Sequence, residues 1–187
     1  MAELDSIGLL ELSSVATGYL AQDAMLKAAP VDLLLARTIC SGKYIVVVGG
    51  DVAATTEAVD AGAAVSTGAL IERRVIPRVH PSVFPAISMA VDVSPEAATG
   101  ALGVIETFSA SSIIEVADAA AKTADVQLLR LHLAMALGGK GFVLLTGDVA
   151  SVEAAVAAGC EVAAEEGILV GRAVIARPRR ELFREYV

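Results

Sequence analysis

The sequence predicts an α+β protein built from two tandem copies of one β-α-β-β-α-β unit. Short motifs of the first half recur in the same order in the second half, and in each half apolar runs typical of strands alternate with segments of helical periodicity. This element order is that of the ferredoxin-like split motif, in which the helices cover one face of the sheet. The matching motifs are Gly8-Leu-Leu-Glu11 with Gly103-Val-Ile-Glu106, Asp23 and Lys27 with Asp118 and Lys122, Gly50-Asp51-Val52-Ala53 with Gly147-Asp148-Val149-Ala150, and Val75-Ile-Pro-Arg78 with Val174-Ile-Ala-Arg177.

The elements of the first half follow from apolar patterning and its punctuation. An apolar run predicts the first strand, a helical pattern that stops at Pro30 predicts the first helix, and the turn Ser41-Gly42 predicts a hairpin. Asp51 is expected to cap the second helix. The predicted strands are 6–14, 31–40, 43–48 and 70–77, and the predicted helices are 19–29 and 52–67.

The second half repeats these elements with two short insertions, both in predicted loops, which tolerate added residues. Its predicted strands are 102–109, 126–135, 140–146 and 168–176, and its predicted helices are 112–124 and 149–165. We therefore expect a first domain at 1–90 and a second at 101–187. The segment 88–100 is rich in turn formers and is expected to be the linker.

Composition excludes several classes of protein. Hydrophobic residues make up 56% and charged residues 19%, which excludes a disordered chain. The net charge of −8 disfavours nucleic-acid binding. No apolar stretch approaches the roughly 18 residues of a membrane span, and the acidic start has no signal-peptide pattern. We therefore expect a cytoplasmic protein that binds neither nucleic acid nor membrane, with part of its apolar surface buried between subunits.

Motifs for catalysis are weak. Gly49-Gly50-Asp51 precedes a helix and could hold a phosphate, but its carboxylate favours a helix cap instead. Glu11 and Glu106 could form an acid–base pair, yet duplication alone explains their equivalence. No local motif suggests a Ser or Cys partner for His80 or His132, and His132 is expected to be structural or near a pore. We therefore expect no enzymatic activity.

The two cysteines differ in setting. Cys40 lies at the predicted hairpin tip, which is unusual for a structural cysteine. Cys160 lies in a predicted helix among alanines and is expected to be buried and inert. They are too far apart in sequence to form a metal motif within one chain. The basic tail 179–184 is predicted to be a solvated face or an edge for self-assembly.

The two ordered copies resemble the tandem-domain shell proteins of bacterial microcompartments, in the unpermuted strand order, and within them the propanediol-utilisation T-type subgroup. The segments Thr38-Ile-Cys-Ser-Gly-Lys43 and Gly138-Gly139-Lys140 fit that subgroup best, although Ser41 stands where it has proline. The resemblance implies a pseudohexameric homotrimer, a flat tile that packs against other shell proteins in the shell of a cytoplasmic microcompartment. The positions that match the family's tile-edge contacts are Lys27, Lys122, Arg78 and Arg177.

The resemblance also implies a central pore surrounded by loops 38–43 and 133–140. In the subgroup, the cysteine matching Cys40 supplies one ligand per chain to an iron–sulfur cluster at the pore. Three chains would bring three thiolates to one [4Fe–4S] cluster per trimer, which usually takes four. The second copy has Met135 at the equivalent position, so only alternate loops supply a thiolate. The expected pore-loop residues are Ser41, Gly42, Ala136, Leu137, Gly138 and Gly139.

Three functions remain open at this point. The first is a shell tile whose pore cluster serves electron transfer or cluster supply across the shell. The second is the same tile with an open pore for metabolites. The third is a tandem ferredoxin-like sensor, which a metabolite-dependent shift in melting temperature would reveal.

Overall fold

The computed structural model describes residues 4–88, 90–91, 100–135 and 137–183. The chain divides into two units, Met1–Pro81 and Ser82–Val187, and each contains one four-stranded antiparallel sheet. The short helix at Val83–Ile87 lies within the range predicted for the first domain, but it belongs to the second unit. Most of the predicted linker, residues 89 and 92–99, lies outside the described residues.

The first unit contains the six predicted elements in the predicted order. They are β1 (Ser6–Leu12), α1 (Val15–Ala28), β2 (Asp32–Ile39), β3 (Lys43–Gly50), α2 (Val52–Ala64) and β4 (Leu70–Ile76). The strand order is β2-β3-β1-β4, with every neighbouring pair antiparallel. Both helices pack on one face of the sheet, where Leu10 and Val46 meet Met25 and Val59 in the core.

The second unit repeats this arrangement. Its elements are α3 (Val83–Ile87), β5 (Ala101–Thr107), α4 (Ser112–Thr123), β6 (Gln127–Leu133), β7 (Gly141–Gly147), α5 (Val149–Glu165) and β8 (Leu169–Ile175). The strand order is β6-β7-β5-β8. Two of its short elements were not predicted: the helix α3 before β5, and a 3₁₀ turn at Arg180–Phe183 after β8. Both are too short to show a sequence period.

The basic tail is anchored through an apolar residue. Phe183 is only 2% exposed and packs against Leu102, Leu129 and Leu144. The prediction of a solvated face at 179–184 therefore misses this contact, because the basic residues around Phe183 obscure one buried side chain. Arg184 lies outside the described residues.

Several predicted boundaries were wrong for local reasons. Helix α1 begins at Val15, four residues earlier than predicted, because Ser14 Oγ accepts a hydrogen bond from Thr17 N at 3.3 Å. Strand β3 continues to Gly50 because Gly49 and Gly50 pair with β1 and are not in a turn. Strand β6 ends at Leu133 because Ala134 adopts a left-handed φ of 54°.

Two equivalent aspartates cap α2 and α5, as predicted for Asp51. The Asp51 carboxylate accepts a hydrogen bond from Ala54 N at 2.8 Å, and that of Asp148 accepts one from Ser151 N at 3.0 Å. Ser151 Oγ adds a second bond to Asp148 at 2.6 Å. These bonds to Ser151 lower the pKa of Asp148, because they favour the charged carboxylate.

The Asp148 cap predicts a loss of stability in acid. A carboxyl whose pKa is lower in the folded state stabilises the fold above its unfolded pKa, and this stabilisation is lost as the pH falls through the folded value. We expect Asp148→Asn, which keeps an acceptor but does not titrate, to show a smaller fall in Tm below about pH 4 than the unsubstituted protein. Thermal unfolding between about pH 2 and pH 6 measures this, with the exposed Asp125→Asn as control. Equal acid dependence in all three proteins would contradict it.

Among the described residues, none of the helices combines the length and apolarity needed to cross a bilayer.

Candidate functional site

The first hairpin loop places Cys40 directly after β2, in a 3₁₀ turn formed by Cys40–Gly42. The turn uses two successive left-handed residues, Ser41 at φ 65° and Gly42 at φ 73°. Glycine adopts this conformation at little cost, whereas for serine the left-handed conformation costs about 1 kcal/mol of conformational free energy. The Cys40 side chain is partly exposed, as expected for the tip of a hairpin.

Ser41 has a conformational consequence for the loop. The ring of proline fixes φ near about −65°, whereas Ser41 has a φ of 65°. A proline at this position is therefore incompatible with the turn observed here.

The second hairpin loop is longer and also uses left-handed residues: Ala134, Gly138 and Gly139 have φ values of 54°, 65° and 94°. Two bonds close it, from Ala134 N to Lys140 O at 3.2 Å and from Lys140 N to Leu137 O at 3.3 Å. Met135 is 45% exposed, in the place that Cys40 occupies in the first copy. Ala136, predicted to belong to the pore loop, lies outside the described residues.

An ion pair stands at the root of each loop. Lys43 Nζ lies 2.5 Å from Glu11 Oε1, and Lys140 Nζ lies 2.5 Å from Glu106 Oε1. Sequence reasoning found both glutamates and both lysines as repeated residues but did not pair them. The sequence did contain a signal for this pairing, because each of the two repeated glutamates is matched by a repeated lysine of opposite charge. The pairing gives both glutamates a structural role without catalysis.

The Glu11–Lys43 pair predicts a measurable coupling energy. The Glu11 side chain is 8% exposed and that of Lys43 is 29% exposed, whereas the Asp23–Lys27 pair is 61% and 74% exposed. We expect a double-mutant cycle with Glu11→Gln and Lys43→Met to give about 2 kcal/mol, since burial strengthens a charged hydrogen bond. The matched cycle with Asp23→Asn and Lys27→Met is expected to give about 0.5 kcal/mol or less. Urea unfolding measures both, and equal coupling energies would contradict the prediction.

Tyr44 supports the first loop from the helix side. Its hydroxyl donates to Gln22 Oε1 at 3.0 Å, and its ring lies 5.1 Å from that of Tyr19. Burial raises the pKa of Tyr44, and Tyr19 adds to the effect. Gly18 makes this approach possible, because a Cβ on it would lie 2.4 Å from the Tyr44 ring. Sequence reasoning missed this contact, because a glycine within a helix indicates only a low helix propensity and not which side chain it admits.

The four predicted tile-edge residues lie on equivalent elements of the two units. Lys27 and Lys122, in the last turns of α1 and α4, each pair with the aspartate four residues earlier at 2.6 Å. Arg78 and Arg177 are exposed just after β4 and β8. Arg78 has a left-handed φ of 55°, which non-glycine residues seldom adopt. The edge contacts themselves stay a prediction.

Cys160 is buried, as predicted, at 4% exposure in α5. Burial raises the pKa of its thiol, although the nearby Arg172 side chain opposes the shift. The neutral thiol is thereby favoured, which makes Cys160 a poor nucleophile and a poor metal ligand.

Within one chain, the described residues contain no group of three or more His, Cys, Asp or Glu side chains that could hold a metal ion. A metal centre at Cys40 built from those residues would therefore need thiolates from further copies of the chain. The segment Thr38–Lys43 itself contains no acidic residue that would repel neighbouring thiolates, and the nearby Glu11 carboxylate is paired with Lys43.

Comparison with known proteins places both units in one family. The model of the BMC domain matches residues 6–79 and 101–178. These matches cover all eight strands and the four helices α1, α2, α4 and α5. The duplication inferred from the motifs is thereby confirmed.

Individual relatives extend this match to almost the whole chain. The bacterial microcompartment shell protein PduT of Citrobacter freundii is 43% identical over 182 residues, covering 97% of both chains. The carboxysome assembly protein CcmO of Synechocystis sp. is 32% identical over 95% of this chain and 63% of its own length. A crystal structure of a microcompartment protein from Desulfitobacterium hafniense superposes with a TM-score of 0.93 at 50% identity, covering 97% of this chain and 99% of that one.

Proposed function

The chain belongs to the BMC-domain family, and from this premise we propose that three copies form a pseudohexameric tile with a central pore lined by the hairpin loops. At the coarser level, the protein is a structural shell protein of a bacterial microcompartment and resides in that shell. Two BMC domains per chain support the trimer, since three chains then provide six domains. The family assignment favours a shell tile over a small-ligand sensor.

We further propose that the three Cys40 thiolates hold one [4Fe–4S] cluster per trimer. The observation that carries this is the position of Cys40, a partly exposed thiol in the turn at a hairpin tip. The second hairpin has Met135 there, so a trimer offers three cysteines and not six. When bound, such a cluster supplies one-electron transfer, and its exposure and surroundings set its potential.

The chain's own residues prepare the loop for this role. Ser41 and Gly42 set the turn that presents the thiol, and the Glu11–Lys43 pair fixes the start of β3. The one charged residue of loop 38–43 is Lys43, and its charge is balanced by Glu11. The cluster serves electron transfer or cluster supply across the shell.

The tile packs edge to edge with other shell proteins. Lys27, Lys122, Arg78 and Arg177 are the proposed contacts. Arg78 and Arg177 are exposed, and Lys27 is held by an exposed pair of modest strength, which exchanges readily for a contact with a neighbouring tile. Lys122 is itself 45% exposed, although its partner Asp118 is only 12% exposed.

A native mass spectrum of protein purified without oxygen tests assembly and cofactor together. The expected result is a trimer carrying about 350 Da of additional mass, that of four irons and four sulfides. A trimer without this additional mass would contradict the cluster and favour an open pore for metabolites. A stable monomer at micromolar concentration would overturn the proposed trimeric tile.

A further inference from the structure

One edge of the second unit is covered by apolar packing. Strand β6 is the outer strand of its sheet, and helix α3 packs against both β6 and α4. Leu128 and Leu131 of β6 are buried, and Ile114 of α4 is fully buried. Val83 and Ile87 of α3 are buried as well. This edge of the second unit is therefore closed to solvent by a helix that follows β4 in the chain.

The equivalent edge of the first unit is apolar but exposed. Strand register makes Leu33 of β2 the counterpart of Leu128, since each lies opposite the equivalent residue of the next strand. Leu33 is 42% exposed. Tyr19 precedes Asp23 by four residues, as Ile114 precedes Asp118, and it is 62% exposed. Strand β2 and helix α1 thus present to solvent the face that β6 and α4 bury.

Helix α3 has a counterpart at the end of the sequence. Residues 75–88 align without a gap with residues 174–187. This alignment pairs the apolar residues Val83 with Leu182, Phe84 with Phe183, and Ile87 with Tyr186. Phe84 and Phe183 are both buried, but Leu182 is 47% exposed where Val83 is fully buried. Residues 184–187 lie outside the described residues. The segment 182–187 therefore matches α3 in its apolar pattern and begins with an exposed leucine.

We propose that the segment 182–187 of one copy packs against α1 and β2 of a second copy, as α3 packs against α4 and β6 within the chain. Both partners of this contact, Leu182 on one side and Leu33 with Tyr19 on the other, are exposed in a single chain. Each chain presents one such segment and one such face, so the contact is head to tail and can close into a ring. The inference deepens the proposed trimer and rests on it.

Charge differences between the two repeats favour this occupant. The end of the chain has Arg179, Arg180 and Arg184 at the positions of His80, Pro81 and Pro85. Strand β2 begins with the exposed Asp32, whereas β6 begins with Gln127. The segment has gained positive charge and the face has gained negative charge relative to the contact within the chain. Such complementary charges orient two copies as they associate.

Photo-crosslinking of the full chain tests this contact directly. We expect p-benzoylphenylalanine in place of Leu182 to give, on irradiation, a covalent dimer on a denaturing gel. Peptide mass spectrometry should then locate the crosslinks in α1 or β2. Crosslinks to other elements alone, or a trimer that gives no covalent dimer, would overturn the proposal and leave the tile standing. A parent protein that is monomeric by native mass spectrometry would overturn both.

Substitutions on the two sides of the contact give a second readout. We expect Leu182→Asp and Leu33→Asp each to raise the subunit concentration at which half of the trimer dissociates by at least about tenfold, since each places a carboxylate in an apolar contact. The matched control is Phe108→Asp, because Phe108 is 66% exposed and Ser13 is its counterpart in the first unit. Dilution series followed by native mass spectrometry measure all three. Dissociation of Leu182→Asp and Leu33→Asp equal to that of the parent protein would overturn the proposal.

Discussion

Replacing Cys40 by serine is expected to abolish the cluster while leaving the tile assembled. Cys40 lies in a surface turn and not in the core, so its loss removes a ligand without creating a cavity. Native mass spectrometry should show the trimer without the additional mass of about 350 Da, and iron content should fall to background. A hydroxyl is a poor substitute for a thiolate at an iron–sulfur site, since these clusters are held by Cys thiolates.

The second cysteine provides the matched control. Cys160→Ser removes the other thiol of the chain but affects a buried side chain in α5. We expect it to lower stability and to keep the full iron content. Iron retained in Cys40→Ser would refute the assigned ligand, whereas loss of the trimer in that variant would show that the loop is needed for assembly.

The second large effect is expected from Gly18→Ala. A Cβ at this position would lie 2.4 Å, 2.5 Å and 2.7 Å from Cδ1, Cγ and Cβ of Tyr44. Because the Tyr44 Cβ is fixed to the β3 backbone, a change of rotamer does not clear the contact, and α1 must move away from the sheet. Overpacking of this kind costs about 1–3 kcal/mol, and the better helix propensity of alanine offsets only about 1 kcal/mol.

We therefore expect Gly18→Ala to lower the Tm by several degrees, with Gly171→Ala as control. Gly171 lies in β8, and a Cβ there meets no atom within 4 Å. The control should be neutral or slightly stabilising, since alanine lowers the entropy of the unfolded chain. A Tm of Gly18→Ala equal to that of the control would show that the Tyr44 contact adjusts without cost. Because Tyr44 follows Lys43 at the loop root, iron retention should also fall in Gly18→Ala.

Much of the fold could be read from short stretches of sequence. Apolar periodicity located all eight strands and four of the helices, and Asp51 marked a helix start. The errors in predicting the elements fell where the local sequence signal is weakest. The apolar pattern placed the start of α1 four residues too late, after the cap Ser14, and the five-residue helix α3 was not predicted.

The candidate site was predictable only in part, for the same reason. Cys40 could be placed at a hairpin tip because the turn Ser41-Gly42 is a local signal. The hydrogen bond of 2.7 Å between His132 Nε2 and the Met135 carbonyl also joins near neighbours, but its geometry depends on the left-handed Ala134 and on Phe142 across the sheet. Neither condition shows in a periodic pattern.

By itself, the sequence determined the duplication, the order of the elements and the location of one thiol in one of two equivalent loops. These properties depend on repetition, on residue periodicity and on turn residues, all of which act over a few positions along the chain. The tertiary structure alone decided that Lys43 pairs with Glu11, that Gly18 admits the ring of Tyr44 and that Phe183 anchors the tail. Those contacts join residues that are distant in sequence. Each of them forms only when strand register and helix packing bring its two residues together.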